Sequence, residues 1–294
     1  MNRKERALIR KKDRKKFIRG TIEALILISL LVFMINALFS FETYKPYQNI
    51  TERNDLGFIA VSYFGVDRTG TDTLISTENL EKQLKALKDN GYVTISQQDI
   101  IDYYKNNKKL PAKSLFLMFE DGRTDTQIFS QKITREYNFK STIFTYGDRL
   151  EEEDPKFLTK EDITKMQDDT YLELGTNGYR LSYINVFDKD GNYLGNFTPD
   201  DFSEIRSKVR RDYNHYLMDY IRDEDDIPSE SYGEMKNRIA YDYNKIIDIY
   251  TEELGGIPKV YTLMHSNTTQ FATNDRVSEI NEEWIKKLFE MNFN

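Results

Sequence analysis

The hydrophobic positions divide the chain into one continuous apolar segment near its start and a long region where short apolar runs alternate with amphipathic segments. The apolar segment lies within residues 21–41 and contains ALILISLLVFMINALF, with no charged residue after Glu23. A helix needs about 20 predominantly apolar residues to cross a bilayer, and no small-residue cleavage pattern follows this one. We therefore predict a transmembrane helix, a signal anchor, over residues 21–41; a buried core helix is the alternative.

The remaining pattern predicts alternating strands and helices from residue 57 onward. Runs rich in β-branched and aromatic residues predict strands at 57–66, 92–96, 115–119, 140–147, 171–178 and 257–267. Apolar positions at helical spacing predict helices at 76–91, 96–107, 125–138, 159–169, 200–224, 232–254 and 281–292. This alternation predicts an α/β fold with a parallel sheet covered by helices, as in doubly wound sheets and β/α barrels.

Charge is distributed unevenly along the chain. Residues 1–20 carry a net charge of +8, whereas residues 41–294 carry −14. Positively charged residues beside a span remain on the cytoplasmic side, so we predict a basic cytoplasmic tail over residues 1–20 and an extracytoplasmic body. A basic tail can also bind nucleic acid, but the adjacent span accounts for it, and no nucleic-acid partner is expected.

Composition excludes several kinds of site in the body. The polar residues 42–56 predict a linker that leads into a domain over residues 57–294. The chain has no cysteine, which excludes disulfides, thiolate metal sites and a cysteine nucleophile. Its two histidines, His215 and His265, are too few for a site with three histidine ligands. His215 lies in a charged segment, and we expect it at the surface or in helix packing.

Three predicted strand ends carry polar side chains: Glu120 with Asp121, residues 176–180, and residues 265–267. The carboxyl ends of parallel strands meet at one edge of the sheet, where sites form, so these groups are expected close together. Glu120 and Asp121 directly follow an apolar strand and precede Gly122. By themselves they fit either a catalytic pair or a polar turn.

Three stretches of the domain resemble the polysaccharide deacetylases of the NodB-homology type, carbohydrate esterase family 4. LFLMFEDG resembles the family's strand ending in T-F-D-D-G, and LELGTNGYRLS its E-I-G-S-H-x-x-x-H segment. YDYNKIIDIYTEELGGIPKVYTLMHSN resembles the family's helix, turn and following strand. The resemblance covers roughly residues 57–294, with an insertion near residues 183–230. It implies a distorted (β/α) barrel whose last strands would lie beyond Asn294, because a further strand is predicted to begin there.

The resemblance also implies roles for the acid pair. In this family the first acid is the general base, and the second binds a divalent metal together with two histidines. Carried over by position, Glu120 is the base and Asp121 the catalytic metal ligand. The histidine positions hold Asn177 and Leu181, so the implied ion, zinc or a similar metal, keeps only Asp121 of its usual ligands. Leucine cannot bind a metal, and asparagine offers zinc only a neutral oxygen.

Further candidates lie at the other two strand ends. His265 stands close to the tyrosine position of the family's third motif, as a general acid or metal ligand; a hydrogen-bonded core histidine is the alternative. Asn177, Tyr179, Arg180 and Asn267 are candidate substrate-binding residues, because amides bind hydroxyls, tyrosine stacks on sugar rings and arginine polarises carbonyls. A glycine-rich connection with incidental polarity is the alternative reading of residues 175–180.

We therefore predict a membrane-anchored, extracytoplasmic polysaccharide deacetylase-like hydrolase that acts on N-acetylated amino sugars of an exopolysaccharide or the cell wall. The alternative is an inactive relative that binds a carbohydrate polymer, or scaffolds its assembly with polysaccharide synthesis or export proteins as partners. A third reading is a glycosidase with two carboxylates, which needs a second acid about 5 to 10 Å from the first. Asp67 and Glu173 are the candidates for that second acid.

Overall fold

The computed structural model divides the chain into two compact units, Met1–Thr43 and Tyr44–Asn294. It describes residues 3–38, 43–48, 53–54, 57–152, 154–210, 213–263 and 272–293. The first unit contains helix α1 (Arg3–Leu38). Within α1 the segment Lys12–Met34 is long and apolar enough to cross a membrane, and none of it is buried.

The second unit is an α/β domain. Its strands are β1 (Arg53–Asn54), β2 (Ile59–Tyr63), β3 (Val66–Asp67), β4 (Ile75–Ser76), β5 (Val93–Thr94), β6 (Leu110–Pro111), β7 (Ser114–Phe119), β8 (Ser141–Tyr146), β9 (Leu172–Gly178), β10 (Tyr183–Phe187), β11 (Tyr193–Phe197), β12 (Asn214–His215), β13 (Val260–Thr262) and β14 (Met291–Phe293). Its helices are α2 (Thr77–Asp89), α3 (Gln97–Asn106), α4 (Thr124–Glu136), α5 (Gly147–Glu151), α6 (Lys160–Met166), α7 (Pro199–Ile205), α8 (Tyr232–Leu254) and α9 (Asp275–Leu288).

One parallel sheet organises this unit. Its strand order is β14-β13-β9-β8-β7-β2, and β5 also pairs with β7. All of these pairs are parallel. The sheet curls into a half-barrel with its helices, so the predicted α/β class and the NodB-type distorted barrel are confirmed.

Strand β7 lies between β8 and β2 in this sheet, and all six of its residues are buried. Leu115, Leu117 and Phe119 pack into one hydrophobic cluster with residues of α2 and α4. Phe116 and Met118 pack into another cluster with Ile100 of α3. Burial on both faces explains why the strand reads as a continuous apolar run, and it fixes where the chain leaves the sheet at Glu120.

Helix α8 shows how local signals set an element's ends. The side chain of Ser231 accepts a hydrogen bond from the backbone of Glu234, and the Glu234 side chain binds the backbone of Ser231 in return. The helix ends at Gly255, whose φ of 75° lies in the left-handed region that favours glycine. The observed bounds match the predicted helix at residues 232–254.

The long charged helix predicted at residues 200–224 is wrong. Only α7 is helical there, and the described residues that follow it form turns and the short strand β12. Phe202, Val209 and Tyr213 pack into a hydrophobic cluster with Leu181 and Tyr183. A straight helix would hold Phe202 and Tyr213 apart along its axis, because it rises about 1.5 Å per residue. Their packing in one cluster requires the chain to fold back between them. Tertiary packing therefore overrides the helical spacing.

The predicted domain boundaries stay predictions, and two features of the structure lie near them. Strands β11, β10 and β12 form a separate antiparallel sheet inside the predicted insertion at residues 183–230. Residues of the predicted linker contact the domain. The hydroxyl of Tyr44 donates to the Thr94 carbonyl (2.9 Å), and the hydroxyl of Tyr47 donates to Asp99 (3.0 Å). Tyr44 and Tyr47 of the predicted linker therefore bind the domain.

Candidate functional site

The chain bends sharply where β7 ends. Asp121 and Gly122 both have positive φ values, 68° and 55°. The left-handed region is costly for a residue with a Cβ atom, although aspartate tolerates it better than most. At Gly122 an added Cβ would lie 2.9 Å from Thr145 Cγ2, so the turn has no room for a side chain there. The bend directs the two neighbouring carboxylates into different surroundings.

Glu120 lies towards strand β2. The hydroxyl of Ser62 on β2 donates a short hydrogen bond to Glu120 Oε1. Burial raises the pKa of Glu120, and the Ser62 hydrogen bond partly offsets this rise. Its side chain is not among those that line the cavity beside Asp121.

Asp121 lines a cavity of about 900 Å³, which we call the Asp121 cavity. The carboxylate is only 7% exposed. Burial raises its pKa to about 6, although the charges of Arg123, Arg149 and Lys156 act in the opposite direction. Arg123 Nη1 lies 3.9 Å from Asp121 Oδ2. The walls also hold aromatic side chains, namely Phe64, Phe157, Tyr183, Phe202 and Tyr213.

Asn177 does not face this cavity. Its side chain is completely buried at the end of β9. Its Oδ1 accepts a hydrogen bond from the Asp121 backbone N–H (3.3 Å), and its Nδ2 donates to the Thr262 carbonyl (3.1 Å). Asn177 thus ties the turn after β7 to strand β13. Its predicted role in substrate binding stays a prediction.

Leu181, at the other histidine position of the resemblance, does line the Asp121 cavity. It is 5% exposed and belongs to the hydrophobic cluster that contains Tyr146, Tyr183 and Phe202. An apolar side chain therefore stands where the resemblance implies a metal ligand.

Tyr179 and Arg180 lie outside the cavity, against α8. Arg180 donates two hydrogen bonds to Asp242, from Nη2 (2.8 Å) and from Nε (3.2 Å). Its guanidinium also lies over the rings of Tyr179 and Tyr216, at 5.2 and 4.3 Å. These contacts give Arg180 a structural partner, while its predicted role in substrate binding stays a prediction.

None of the remaining candidate residues is described as part of the Asp121 cavity. His265 and Asn267 fall in residues 264–271, outside the described residues. His215 is buried in β12 rather than at the surface, and its Nδ1 accepts a hydrogen bond from the Leu217 N–H (3.1 Å). Asp67 and Glu173, the second acids of the glycosidase reading, do not line the Asp121 cavity.

The donor set around Asp121 does not fit a divalent metal. Asn177 uses both ends of its amide on backbone groups, Leu181 has no donor atom, and the Arg123 guanidinium stands beside the carboxylate. Within the described part of the chain, which leaves out His265, no group of three or more His, Cys, Asp or Glu side chains could hold a metal ion. Side chains supply the positive charge next to Asp121.

The sequence analysis did not identify the four cationic side chains that line this cavity. Arg149, Lys156 and Arg206 come from α5, from the loop after it and from the residue that follows α7, so no spacing in the sequence relates them. Only Arg123 could have been placed near the site from the sequence, because it follows Asp121 by two residues. The folded chain alone brings the four together.

Replacing Asp121 with asparagine is expected to stabilise the protein at pH 7.5. The folded pKa of about 6 exceeds the ordinary aspartate value of 3.8, so ionisation of the carboxyl lowers the free energy of unfolding as the pH rises from about 4 through 6. One pKa unit is about 1.4 kcal/mol, so we expect a gain of about 1–3 kcal/mol for Asp121→Asn at pH 7.5. The gain should shrink as the pH falls from 6 to 4, where the native carboxyl is protonated.

Urea unfolding at pH 7.5 and pH 4.5 measures this difference. Asp190→Asn, in the exposed turn between β10 and β11, is the matched control and should give no such pH-dependent gain. A stability of Asp121→Asn that differs from the wild type equally at both pH values would contradict a raised pKa.

Known polysaccharide deacetylases match parts of this sequence. No family model matches the chain. It is 28% identical over 98 residues to "Putative polysaccharide deacetylase YxkH" of Bacillus subtilis, a match that covers 33% of this chain and 34% of that protein. It is 33% identical over 69 residues to the poly-beta-1,6-N-acetyl-D-glucosamine N-deacetylase of Escherichia coli, which covers 22% of this chain and 10% of the relative.

Solved structures extend the similarity over most of the chain. The de-N-acetylase from Aggregatibacter actinomycetemcomitans has a TM-score of 0.58 at 18% identity, over 77% of this chain and 84% of that one. The BpsB deacetylase domain from Bordetella bronchiseptica has a TM-score of 0.57 at 15% identity, over 79% and 87%. At these identities the structures establish the fold, and the sequence matches span about a third or less of the curated relatives. The chain is thus similar to NodB-type polysaccharide deacetylases in its fold and in part of its sequence.

Proposed function

We propose that the chain is a membrane-anchored, extracytoplasmic protein of polysaccharide deacetylase type that binds a polysaccharide in the Asp121 cavity without hydrolysing it. The apolar part of α1 is the anchor, and the positive-inside rule places residues 1–20 in the cytoplasm. The polymer carries N-acetylated amino sugars and belongs to an exopolysaccharide or the cell wall. One relative's name, an N-deacetylase of poly-N-acetylglucosamine, supports this substrate class.

The observation that carries the proposal is the pair of side chains at the histidine positions. Asn177 is committed to two backbone groups, and Leu181 is part of a hydrophobic cluster. The guanidinium of Arg123, 3.9 Å from Asp121 Oδ2, would also repel a dication bound there. Among the described residues, the site therefore keeps a concave surface but offers no set of donors for metal-dependent hydrolysis.

The cavity itself suits a saccharide. Its volume of about 900 Å³ lies within the range of small-molecule sites, about 300–1,000 Å³. Aromatic side chains can cover the apolar faces of sugar rings, and charged groups can bind their substituents. In this role the protein would hold a polymer near the membrane, next to proteins of polysaccharide synthesis or export.

Hydrolysis without a resident metal is the second candidate. The observation in its favour is that burial raises the pKa of both Glu120 and Asp121, in the latter to about 6. A base works best when its pKa lies near the operating pH. Glu120 would take a proton from the attacking water, as the resemblance implies, although its side chain lies towards Ser62 and not in the cavity.

One set of measurements on the full chain in detergent separates the two candidates. We expect the purified protein to bind N-acetylglucosamine oligomers in calorimetry, to retain far less than one equivalent of zinc, and to release no acetate from the oligomers. The Aggregatibacter de-N-acetylase serves as the positive control for acetate release. Glu120→Ala should leave oligomer binding unchanged.

Acetate release that disappears in Glu120→Ala would overturn the proposal and establish the hydrolytic candidate. About one equivalent of zinc that is lost in Asp121→Ala would overturn the metal-free site. Absence of binding to any oligosaccharide would contradict both candidates.

A further inference from the structure

Four cationic side chains line the Asp121 cavity: Arg123, Arg149, Lys156 and Arg206. This concentration runs against the charge of the body, because residues 41–294 carry a net charge of −14. Three acids, Asp72, Asp121 and Asp200, also line the cavity. Asp72 and Asp200 are exposed, so solvent screens their charges more than those of Arg123 and Arg149, whose side chains are each 14% exposed.

Arg123 is held in a fixed orientation within this set. Asp125 Oδ1 accepts a hydrogen bond from Arg123 Nε, and Asp125 Oδ2 accepts one from Nη2, both at 3.0 Å. Among the described residues, Nη1 donates no hydrogen bond, and its 3.9 Å separation from Asp121 is too long for one. A guanidinium fixed along one edge keeps a preorganised donor for a ligand on the other.

The other three cations are weakly compensated. The side chain of Arg149 is 14% exposed, yet it pairs with Glu152, which is 58% exposed. Lys156 pairs at 3.4 Å with Asp200, which is 73% exposed. Arg206 forms no ion pair within the described residues. Pairs with exposed partners contribute little, because water and salt screen them, so a ligand could replace these partners at small cost.

We propose that the Asp121 cavity binds an acidic saccharide and holds its anionic group, a carboxylate or a phosphate, with these four cations. Guanidinium groups match the geometry of both anions, which they bind with charge-assisted hydrogen bonds. The proposal rests on the proposed function, because it takes the occupant to be a saccharide. It adds that the polymer is charged, as in a polymer with uronate or phosphate-bearing sugars.

The size and walls of the cavity favour a saccharide over a free anion. A volume of about 900 Å³ is far larger than an inorganic anion needs. Phe157, beneath the guanidinium of Arg149 at 4.4 Å, and Tyr183 with Phe202 on another wall provide apolar surface for sugar rings. A charged group on a ring can therefore reach the cations while the ring contacts aromatic side chains.

Calorimetry on the full chain in detergent tests the proposal with ligands of matched length. The probes are galacturonate oligomers, phosphate-bearing glucosamine oligomers, neutral N-acetylglucosamine oligomers and inorganic phosphate alone. We expect at least one acidic oligomer to bind about tenfold or more tightly than the neutral one at low salt. The preference should shrink as the salt concentration rises, because exposed charges are screened. The difference between the uronate and phosphate arms identifies the anion.

A variant of the two more exposed cations, Lys156→Gln with Arg206→Gln, should lower affinity for the acidic oligomer about tenfold more than it lowers affinity for the neutral one. Lys286→Gln, on the exposed side of α9, is the matched control and should change neither. Equal binding of acidic and neutral oligomers would overturn the inference and leave the proposed function standing. Absence of binding to every oligomer would overturn both. Inorganic phosphate that binds as tightly as the acidic oligomers would overturn the saccharide assignment.

Discussion

Replacing Arg180 with leucine is expected to destabilise the protein by about 3–5 kcal/mol, because the substitution leaves Asp242 buried without its counter-charge. Asp242 is 1% exposed, and its carboxylate accepts two hydrogen bonds from Arg180, one from Nε and one from Nη2. The pair joins the segment after β9 to α8, 62 residues later in the chain. Urea unfolding followed by the fluorescence of Trp284, the only tryptophan, measures the loss.

The cost of this substitution should depend on pH. Burial already raises the pKa of Asp242, and removal of Arg180 takes away the largest opposing influence. The folded variant would then bind a proton that the unfolded chain releases, so the variant should regain stability as the pH falls towards 5. The double variant Arg180→Leu with Asp242→Leu should recover most of the loss, because no unpaired charge remains.

Lys286→Leu is the control for this prediction. Lys286 pairs with Glu282 on the surface of α9, and exposed pairs of this kind contribute only about 0.3–0.5 kcal/mol. A loss below about 1 kcal/mol for Arg180→Leu would contradict a buried, desolvated pair, and would revive the reading of Arg180 as a side chain available for substrate.

Replacing Asn177 with alanine is expected to cost about 2–4 kcal/mol, because two buried backbone groups lose their partners at about 1–3 kcal/mol each. The groups are the Asp121 N–H and the Thr262 carbonyl. The substitution should also loosen the turn that carries Asp121, so affinity for oligosaccharides should fall together with stability. Urea unfolding and calorimetry on the same preparation measure both effects.

Asn106→Ala is the matched control. Asn106 is exposed at the end of α3 and its amide binds only Asp102, so we expect a change within about 0.5 kcal/mol. An equally small change for Asn177→Ala would mean that this amide does not tie the turn to β13, and it would reopen a role in substrate contact.

Much of the fold could be predicted because local patterns encode it. The run at residues 115–119 is apolar at every position because β7 is buried on both faces, and the apolar run predicted this strand. The capping box at Ser231 and the left-handed Gly255 set both ends of α8. Predicted helix 200–224 was wrong because the same apolar positions, Phe202 to Tyr213, pack into a folded-back cluster that no local periodicity describes.

In the candidate site too, some features could be predicted from the sequence and others depend on the folded chain. The acid pair at the end of β7 was visible in the sequence, because its place at a strand end and its likeness to a known motif are both local features. That Glu120 and Asp121 lie in different surroundings depends on two consecutive positive φ values. The roles of these acids, and of His265 and Asn267 in particular, remain predictions.

By itself, the sequence determined the apolar segment of α1, the parallel α/β class and the position of the acid pair, since each follows from residue types that are close together in the chain. Only the tertiary structure decided what surrounds Asp121. The Asn177 side chain accepts the hydrogen bond of its backbone N–H and donates in turn to the Thr262 carbonyl, and cations from distant elements line its cavity. Such contacts join residues far apart in sequence, so no local pattern of residue types encodes them.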